Sequence, residues 1–279
     1  MKKSVGVLVA TAVLALSSAC GGSGSDSSAP AAGDAKQAAA TASAAPSSDV
    51  SPLTRENFVD RLGQAQVEAG SAHLEMTASA SGMDVSMTGD LRVAEDVEKS
   101  ASRLSMDLGM MQMDVRLVDG VMYLKMGQMT GGKYVRIDLR DPDDPVVKRF
   151  GSSMDQVDPA KQLETFEKAL VEFENEGDGG EIDGVPTTKV RLVVDTEKML
   201  GSAESRQLGA KMPKQIAYVL YVGAQDDLMR RLAVDLDAGS TTIDWSRWGE
   251  DVDVEAPKKS EITDAPALGF PTAGSSLDG

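Results

Sequence analysis

The stretch MQMDVRLVDGVMYLKM, residues 111–126, decides the fold. Apolar and polar residues alternate on both sides of Asp119-Gly120, from Met111 to Leu117 and again from Met122 to Met126. An Asp-Gly pair between two alternating runs is a strong signal for a tight β-hairpin. A period of two is typical of strands that bury one face and leave the other in water. The stretch therefore predicts two antiparallel strands of a one-sided sheet.

The same alternation continues outward in both directions. Short turn signals, Ser81-Gly82, Gly109 and Gly131-Gly132, separate four further alternating runs, at residues 73–80, 83–93, 103–108 and 134–139. Six consecutive runs predict an antiparallel meander. Beyond a break rich in Asp and Pro, which is incompatible with a central strand, more strands are expected at residues 187–195, 216–222, 228–236, 241–248 and 252–254. The expected total is about eleven strands.

Three or four helices accompany these strands. The first is predicted from Thr54 to Ala69, with Gly70 as its stop, because Phe58, Leu62, Ala65 and Ala69 form one apolar stripe. A second is predicted between residues 158 and 177, from the spacing of Leu163, Phe166, Leu170 and Phe173, and a third over 196–211. A wide one-sided sheet must cover its apolar face or close on itself. The expected fold class is therefore α+β, a large curled antiparallel half-barrel with helices over its concave apolar face.

The N-terminus has the pattern of an export signal. Lys2 and Lys3 precede an apolar run at residues 5–16, which is too short to span a bilayer. The segment ending at Cys20 resembles a lipobox, in which the Cys becomes the acylated first residue of the mature protein. The expected organisation is a signal peptide at 1–19, a lipidated Cys20 with a polar linker to 52, one domain at 53–265 and a flexible tail at 266–279. A secreted protein without the anchor is the alternative.

Composition excludes several classes of function. The chain has one Cys and one His, too few for a disulfide framework or a Cys/His zinc site. A hydrolase of the triad type would have to be built on His73 alone. A net charge of −16 is unfavourable for binding nucleic acid. No catalytic residue, metal or cofactor is expected.

Methionine is concentrated in the predicted meander. Ten of the 15 Met lie between Met76 and Met129, mostly on the inferred apolar face. Met is flexible and polarizable and suits an adaptable apolar surface, such as a cavity for acyl chains. The alternative is that Met fills an awkward core under the helices. The residues expected to line the cavity are Met76, Met83, Val85, Met87, Leu104, Met106, Met113, Val115, Met122, Leu124, Met126, Ile137, Leu163, Phe166 and Leu170.

Several segments carry a family resemblance. The segments 120–125, 133–138, 183–196, 218–237 and 252–257 resemble strands of the LppX/LprAFG-type lipoproteins of mycobacteria and related actinobacteria. The resemblance covers about residues 55–264 and implies a LolA/LolB-like half-barrel whose cavity takes lipid acyl chains. It also implies a lipoprotein on the outer face of the plasma membrane, and the family has no catalytic residues to carry over.

Two classes of non-enzymatic function stay open on the sequence. The first is a membrane-anchored lipoprotein that binds acylated lipids or glycolipids and carries or presents them in the cell envelope. The second is an envelope interaction or structural lipoprotein with the same fold, a filled core and no lipid ligand. The expected partners are the acylated ligand, the plasma membrane through acylated Cys20, and a membrane transporter, with the protein itself a monomer. An esterase-like enzyme is disfavoured by the single His.

Overall fold

The structure, a computed structural model, describes residues 51–80, 83–96, 99–109, 111–141, 165–200, 213–237 and 239–263. Twelve strands in these ranges form one sheet. The strands are β1 Ser71–Ala80, β2 Met83–Arg92, β3 Ala101–Asp107, β4 Gln112–Val118, β5 Val121–Lys125, β6 Tyr134–Asp138, β7 Leu170–Ile182, β8 Val185–Asp195, β9 Gln215–Gly223, β10 Met229–Leu236, β11 Gly239–Ser246 and β12 Ile262–Thr263.

The spatial order of the strands is β12-β6-β5-β4-β3-β2-β1-β11-β10-β9-β8-β7. All neighbours pair antiparallel except β12 and β6, which run parallel. The sheet is open, with β12 and β7 at its edges, and β1 lies in its middle. The prediction of an α+β fold with a curled, mainly antiparallel sheet is confirmed. The described part of the chain has twelve strands, against about eleven expected.

The hairpin that decides the fold forms as the sequence predicts. Asp119 and Gly120 both have positive φ, 50° and 71°, and they connect β4 to β5. Two consecutive left-handed residues make a turn whose twist matches that of the flanking strands. A second Asp-Gly pair, Asp183-Gly184, has the same conformation and connects β7 to β8. The predicted turn at Ser81-Gly82 lies outside the described residues.

The first helix, α1, spans Phe58–Ala69 and starts four residues later than predicted. The carbonyl oxygen of Thr54 accepts from the amides of Asn57 and Phe58, and Asn57 Oδ1 accepts from the Thr54 amide at 2.8 Å. Residues 54–57 therefore form a turn, and the helix begins after it. Its end is as predicted, since Gly70 has φ 75° and its amide donates to the Gln66 carbonyl at 3.0 Å.

The second predicted helix is wrong from Leu170 onward. Residues 165–169 are helical, but Leu170–Ile182 is strand β7. Glu172, Glu174 and Glu176 would be unfavourable at a helix C-terminus, whereas on one face of a strand they meet cations of β8. Arg191 Nη1 lies 3.1 Å from Glu172 Oε2, and Lys189 Nζ lies 2.6 Å from Glu176 Oε2. The alternation of these acids with Phe173 and Asn175 was the signal for a strand.

Two further segments differ from expectation. Residues 252–254 are not a strand: residues 251–258 form an extended segment without ladder pairing, here called the strap, which leads to a 3₁₀ turn at Lys259–Glu261 and to β12. Val254 of the strap is 3% exposed, and Arg116 Nη1 donates to the Glu255 carbonyl at 3.1 Å. The third helix, α2, is described over Thr196–Leu200, and its predicted continuation to residue 211 lies outside the described residues.

Candidate functional site

Cross-strand pairing in the described sheet places most apolar residues of β1 to β6 on one face, whereas Val121, Tyr123 and Tyr134 form a small buried cluster on the other. Across the first four of these strands, Met76 pairs with Met87, Met87 with Met106, and Met106 with Met113. A second apolar row lies beside the row of four methionines and crosses six strands. Its members, each paired with the next, are Leu74, Gly89, Leu104, Val115, Leu124 and Val135. The helix α1 packs on the same face, because its buried side chains belong to the same core cluster.

One half of the apolar face is closed. It comprises β7 to β11 with β1 and β2, and α1 lies over it. The Phe58 ring of α1 lies 5.0 Å from that of Phe173 and 6.3 Å from that of Phe166, measured between centroids. Trp245 of β11 is 1% exposed and Leu62 of α1 is fully buried. This part of the sheet has the packing of an ordinary hydrophobic core.

The other half is less completely covered. Seven apolar side chains of β3, β4 and β5 are half-buried, and we call them the apolar strip: Leu104, Met106, Met113, Val115, Leu117, Met122 and Leu124. On one side the strip borders Met87 and Leu91 of β2, which are 7% and 5% exposed. On the other side it borders Val135 and Ile137 of β6, which are almost fully buried. The strip is therefore a band of incompletely buried apolar surface between two buried margins.

The residues expected to line a cavity fall into several groups. Six of them belong to the apolar strip: Leu104, Met106, Met113, Val115, Met122 and Leu124. Met76, Met87, Phe166 and Leu170 are buried in the closed core, and Ile137 and Met126 are buried at 1% and 4% exposure outside that cluster. The Met83 side chain, Leu163 and Cys20 lie outside what the structure describes. Leu117, absent from the expected set, lies in the strip, and its alternation with Met113 and Val115 was the signal for it.

Val85 is half-buried and lines a recess at the β1–β2 end of the sheet. The recess has a volume of about 450 Å³ and is lined mainly by hydroxyl side chains and by Asp84 and Asp107. Seven of its nine lining residues are polar or charged, so it is not an extension of the apolar strip.

The opposite face of the sheet is polar around His73, which lies on β1. His73 Nδ1 lies 2.8 Å from Asp90 Oδ1, and its Nε2 lies 3.3 Å from Thr88 Oγ1. Asp90 also accepts from Arg103 Nη2 at 2.8 Å. Burial raises the pKa of Asp90, but the hydrogen bonds from His73 and Arg103 outweigh that effect and hold the pKa below its ordinary value.

The order Thr88, His73, Asp90 resembles a hydroxyl–imidazole–carboxylate triad, but its setting differs from a catalytic one. β1 and β2 each pair with strands on both sides, so their backbone amides are engaged in the sheet and not free to form an oxyanion hole. His73 lies on the polar surface of β1, a central strand of the sheet. Among the described residues no group of three or more His, Cys, Asp or Glu side chains could hold a metal ion.

Tyr218 of β9 adds a polar group to the closed half of the apolar face. Its neighbours across the strands are Leu192 and Val234, and its ring packs against the closed core. Burial raises the pKa of the Tyr218 phenol to about 12.

Within the described ranges, no helix is both long enough and apolar enough to cross a bilayer.

Comparison with known proteins gives structural neighbours only. No family model and no curated protein matches the chain. Similar solved structures include LprF from Mycobacterium bovis, with 19% identity, a TM-score of 0.47, and coverage of 73% of this chain and 96% of that one. The lipoprotein LppX from Mycobacterium tuberculosis has 18% identity, a TM-score of 0.48, and coverage of 72% and 98%. A LolA superfamily protein from Nitrosomonas europaea has 7% identity, a TM-score of 0.26, and coverage of 72% and 96%.

LprF and LppX, of the lipoprotein type that the sequence resembles, are thus among the solved structures similar to this chain. At this degree of likeness, function has to be derived from the residues of this chain.

Proposed function

We propose that this protein binds the acyl chains of lipids or glycolipids on the apolar strip, and carries or presents them in the cell envelope. The observation that supports the proposal is the half-burial of seven contiguous apolar side chains on β3 to β5, beside a fully packed core on the same face. Contiguous apolar surface that a fold leaves incompletely covered is a common sign of a binding site. Three of the seven are Met, Met106, Met113 and Met122, whose flexible side chains suit a ligand without a fixed shape.

The energetics favour such a carrier. Each CH₂ of an acyl chain exposed to water costs about 0.8 kcal/mol, so a 16-carbon chain left in water costs about 12 kcal/mol. Unassisted movement of a lipid through water is correspondingly slow. The strip needs only to shield the chain from water, because bilayer and protein interior are both apolar.

The proposed location follows from the N-terminus. Acylation of Cys20 and a polar linker to residue 52 would hold the domain near the outer face of the plasma membrane. Tethering would offset the repulsion between a chain of net charge −16 and anionic lipid. The partners in this proposal are an acylated ligand, the membrane and a transporter that hands over or receives the ligand.

Lipid binding is tested on the full chain, purified from a host that exports it, by solvent extraction and mass spectrometry. We expect a co-purifying lipid at a near-stoichiometric ratio. The variant Val115→Asn in the strip should reduce the lipid yield several-fold, because it places an amide against the acyl chain. The matched control Val118→Asn makes the same change on the same strand, at a half-buried position on the opposite face, and should retain the lipid.

An extract without lipid, repeated after incubation with acylated lipids, would contradict the proposal. It would favour the alternative of an envelope interaction protein with a filled core.

The anchor is tested separately. Incorporation of radiolabelled palmitate into the wild-type chain, and its loss in Cys20→Ser, is the expected result. Equal labelling of both would contradict acylation at Cys20, and absence of label from both would favour the secreted form.

A further inference from the structure

The buried face of α1 contains one polar side chain without a partner. Its buried residues are Phe58, Val59, Leu62, Gly63 and Gln66. Gln66 is 1% exposed, yet its Nε2 has no hydrogen-bond partner among the described residues. A buried amide nitrogen left unpaired is costly, and such a group in a folded protein calls for an explanation.

Gln66 lies at the end of α1 nearest the apolar strip. It is eight residues beyond Phe58, about 12 Å along the helix axis. Phe58 contacts Phe173 of the edge strand β7, whereas α1 ends beside the start of β1: Gly70 follows the helix, and its carbonyl accepts at 2.8 Å from the amide of Val93, the residue after β2. Leu91, near the end of β2 and two residues before Val93, pairs with Ser102 of β3, the first strand of the strip. The helix therefore crosses the closed half from β7 to β1, and Gln66 lies in its last turn, on the side of the closed half that borders β2 and β3.

We propose that the Gln66 side-chain amide donates a hydrogen bond to an ester carbonyl of the bound lipid. The inference rests on the proposed function and makes it more specific: the ligand is an O-acyl ester, and Gln66 positions its ester group where the strip meets the core. An ester oxygen accepts hydrogen bonds and donates none, which matches an amide nitrogen with two free N–H groups. The acyl chain beyond the ester then lies on the strip.

Two neutral lipids separate this contact from general apolar binding. They are 1,2-dipalmitoylglycerol and 1,2-di-O-hexadecylglycerol, which differ only in that each carbonyl of the first is a methylene in the second. Their affinities for the full chain are measured by displacement of cis-parinaric acid. Because the ether is more apolar, the quantity compared is the ratio of the two affinities in each variant.

We expect Gln66→Met to lower the ester-to-ether affinity ratio about 3- to 10-fold, the value of one neutral hydrogen bond. The control Gln64→Met makes the same change two residues away, at an exposed position where Gln64 Nε2 donates to Glu68 Oε1 at 2.9 Å, and should keep the wild-type ratio. An unchanged ratio in Gln66→Met would overturn the inference while leaving lipid binding intact. Binding of neither lipid to the wild type would instead overturn the proposed function, and this inference with it.

A second measurement needs no variant. Infrared spectroscopy of the wild-type chain with ¹³C-carbonyl dipalmitoylglycerol reports whether the ester is hydrogen-bonded. A carbonyl band shifted below its position in hexane is expected, and a band at the hexane position would overturn the inference even if Gln66→Met did not fold.

Discussion

The closed and the open half of the apolar face are made from the same kind of strand but are buried to different degrees. Met76 and Met113 belong to one row of cross-strand neighbours, yet Met76 is 3% exposed and Met113 is half-buried. The difference arises from α1, which lies over β1 and the strands beyond it. Alternation alone thus determines which face a side chain occupies, whereas the covering element determines whether it stabilises the fold or remains available to a ligand.

The largest expected effect on stability comes from replacing a leucine by alanine in the closed half, compared with the same replacement in the open half. Leu74 on β1 is 2% exposed and Leu124 on β5 is half-buried, and both lie on the apolar face. Leu74→Ala should lower the free energy of unfolding by about 3 kcal/mol, and Leu124→Ala by about 1 kcal/mol, because a cavity forms only where packing is complete. Urea denaturation measures both. Equal losses would mean that the strip is as tightly packed as the core.

Ligand binding should act on the open half. With 1,2-dipalmitoylglycerol at 100 times its Kd, the free energy of unfolding should rise by about 2.7 kcal/mol. Hydrogen exchange should then slow most in β4 and β5 and least in β9 and β10 under conditions of local opening. Stronger protection of β9 and β10 than of β4 would place the ligand elsewhere.

Tyr218 offers a test of the closed half at high pH. Its folded pKa of about 12 lies above the ordinary value of about 10, so the contribution of the neutral phenol is complete below pH 10 and is lost as the pH rises to 12. The expected loss is about 2 kcal/mol, obtained as the difference between the wild type and Tyr218→Phe in denaturation curves at the two pH values. If both proteins lose stability in parallel, the phenol is not buried as described.

The smallest expected change in stability comes from Asp90 on the polar face, and it depends on pH in the acid range. Because the pKa of Asp90 is lowered, its contribution to stability is present above its unfolded pKa of about 4 and is lost as the pH falls through the folded value. Asp90→Asn should cost about 1 kcal/mol at pH 7 and less in acid, since protonation of Asp90 there removes the same charge. Thermal denaturation at pH 7 and at pH 2 measures this. A cost that is the same at pH 2 would assign the effect to packing.

The first six strands could be predicted from the sequence because each carries its own signal. β4 and β5 alternate strictly, and the turn between them requires two residues with positive φ, Asp119 and Gly120. The observed bounds of both strands therefore differ from the predicted ones by about one residue. β7 could not be predicted in this way, because the spacing of Phe166, Leu170 and Phe173 fits a helix too. Its strand conformation is stabilised by pairing with β8, the next strand along the chain, which the spacing of those three residues does not include.

The candidate site was predictable only in part. The sequence identified the face, and six of the expected residues lie in the strip. It could not separate Met87 from Met106, which are direct cross-strand neighbours, because the boundary between them depends on where α1 ends. It also gave no indication of Gln66, a polar residue whose importance appears only once its burial is known.

The central position of β1 has a consequence for the order in which the molecule assembles. β1 pairs on one side with β2, the next strand along the chain. On its other side it pairs with β11, which is far away in sequence: His73 is paired with Ser246. The meander of β1 to β6 can therefore form from local contacts. Pairing of β1 with β11, which joins the meander to strands β7 to β11, closes a loop that contains most of the domain and is the slow step. Until Ser246 has emerged and paired, one edge of β1 and the apolar strip are both exposed. A chain in that state would depend on protection from aggregation.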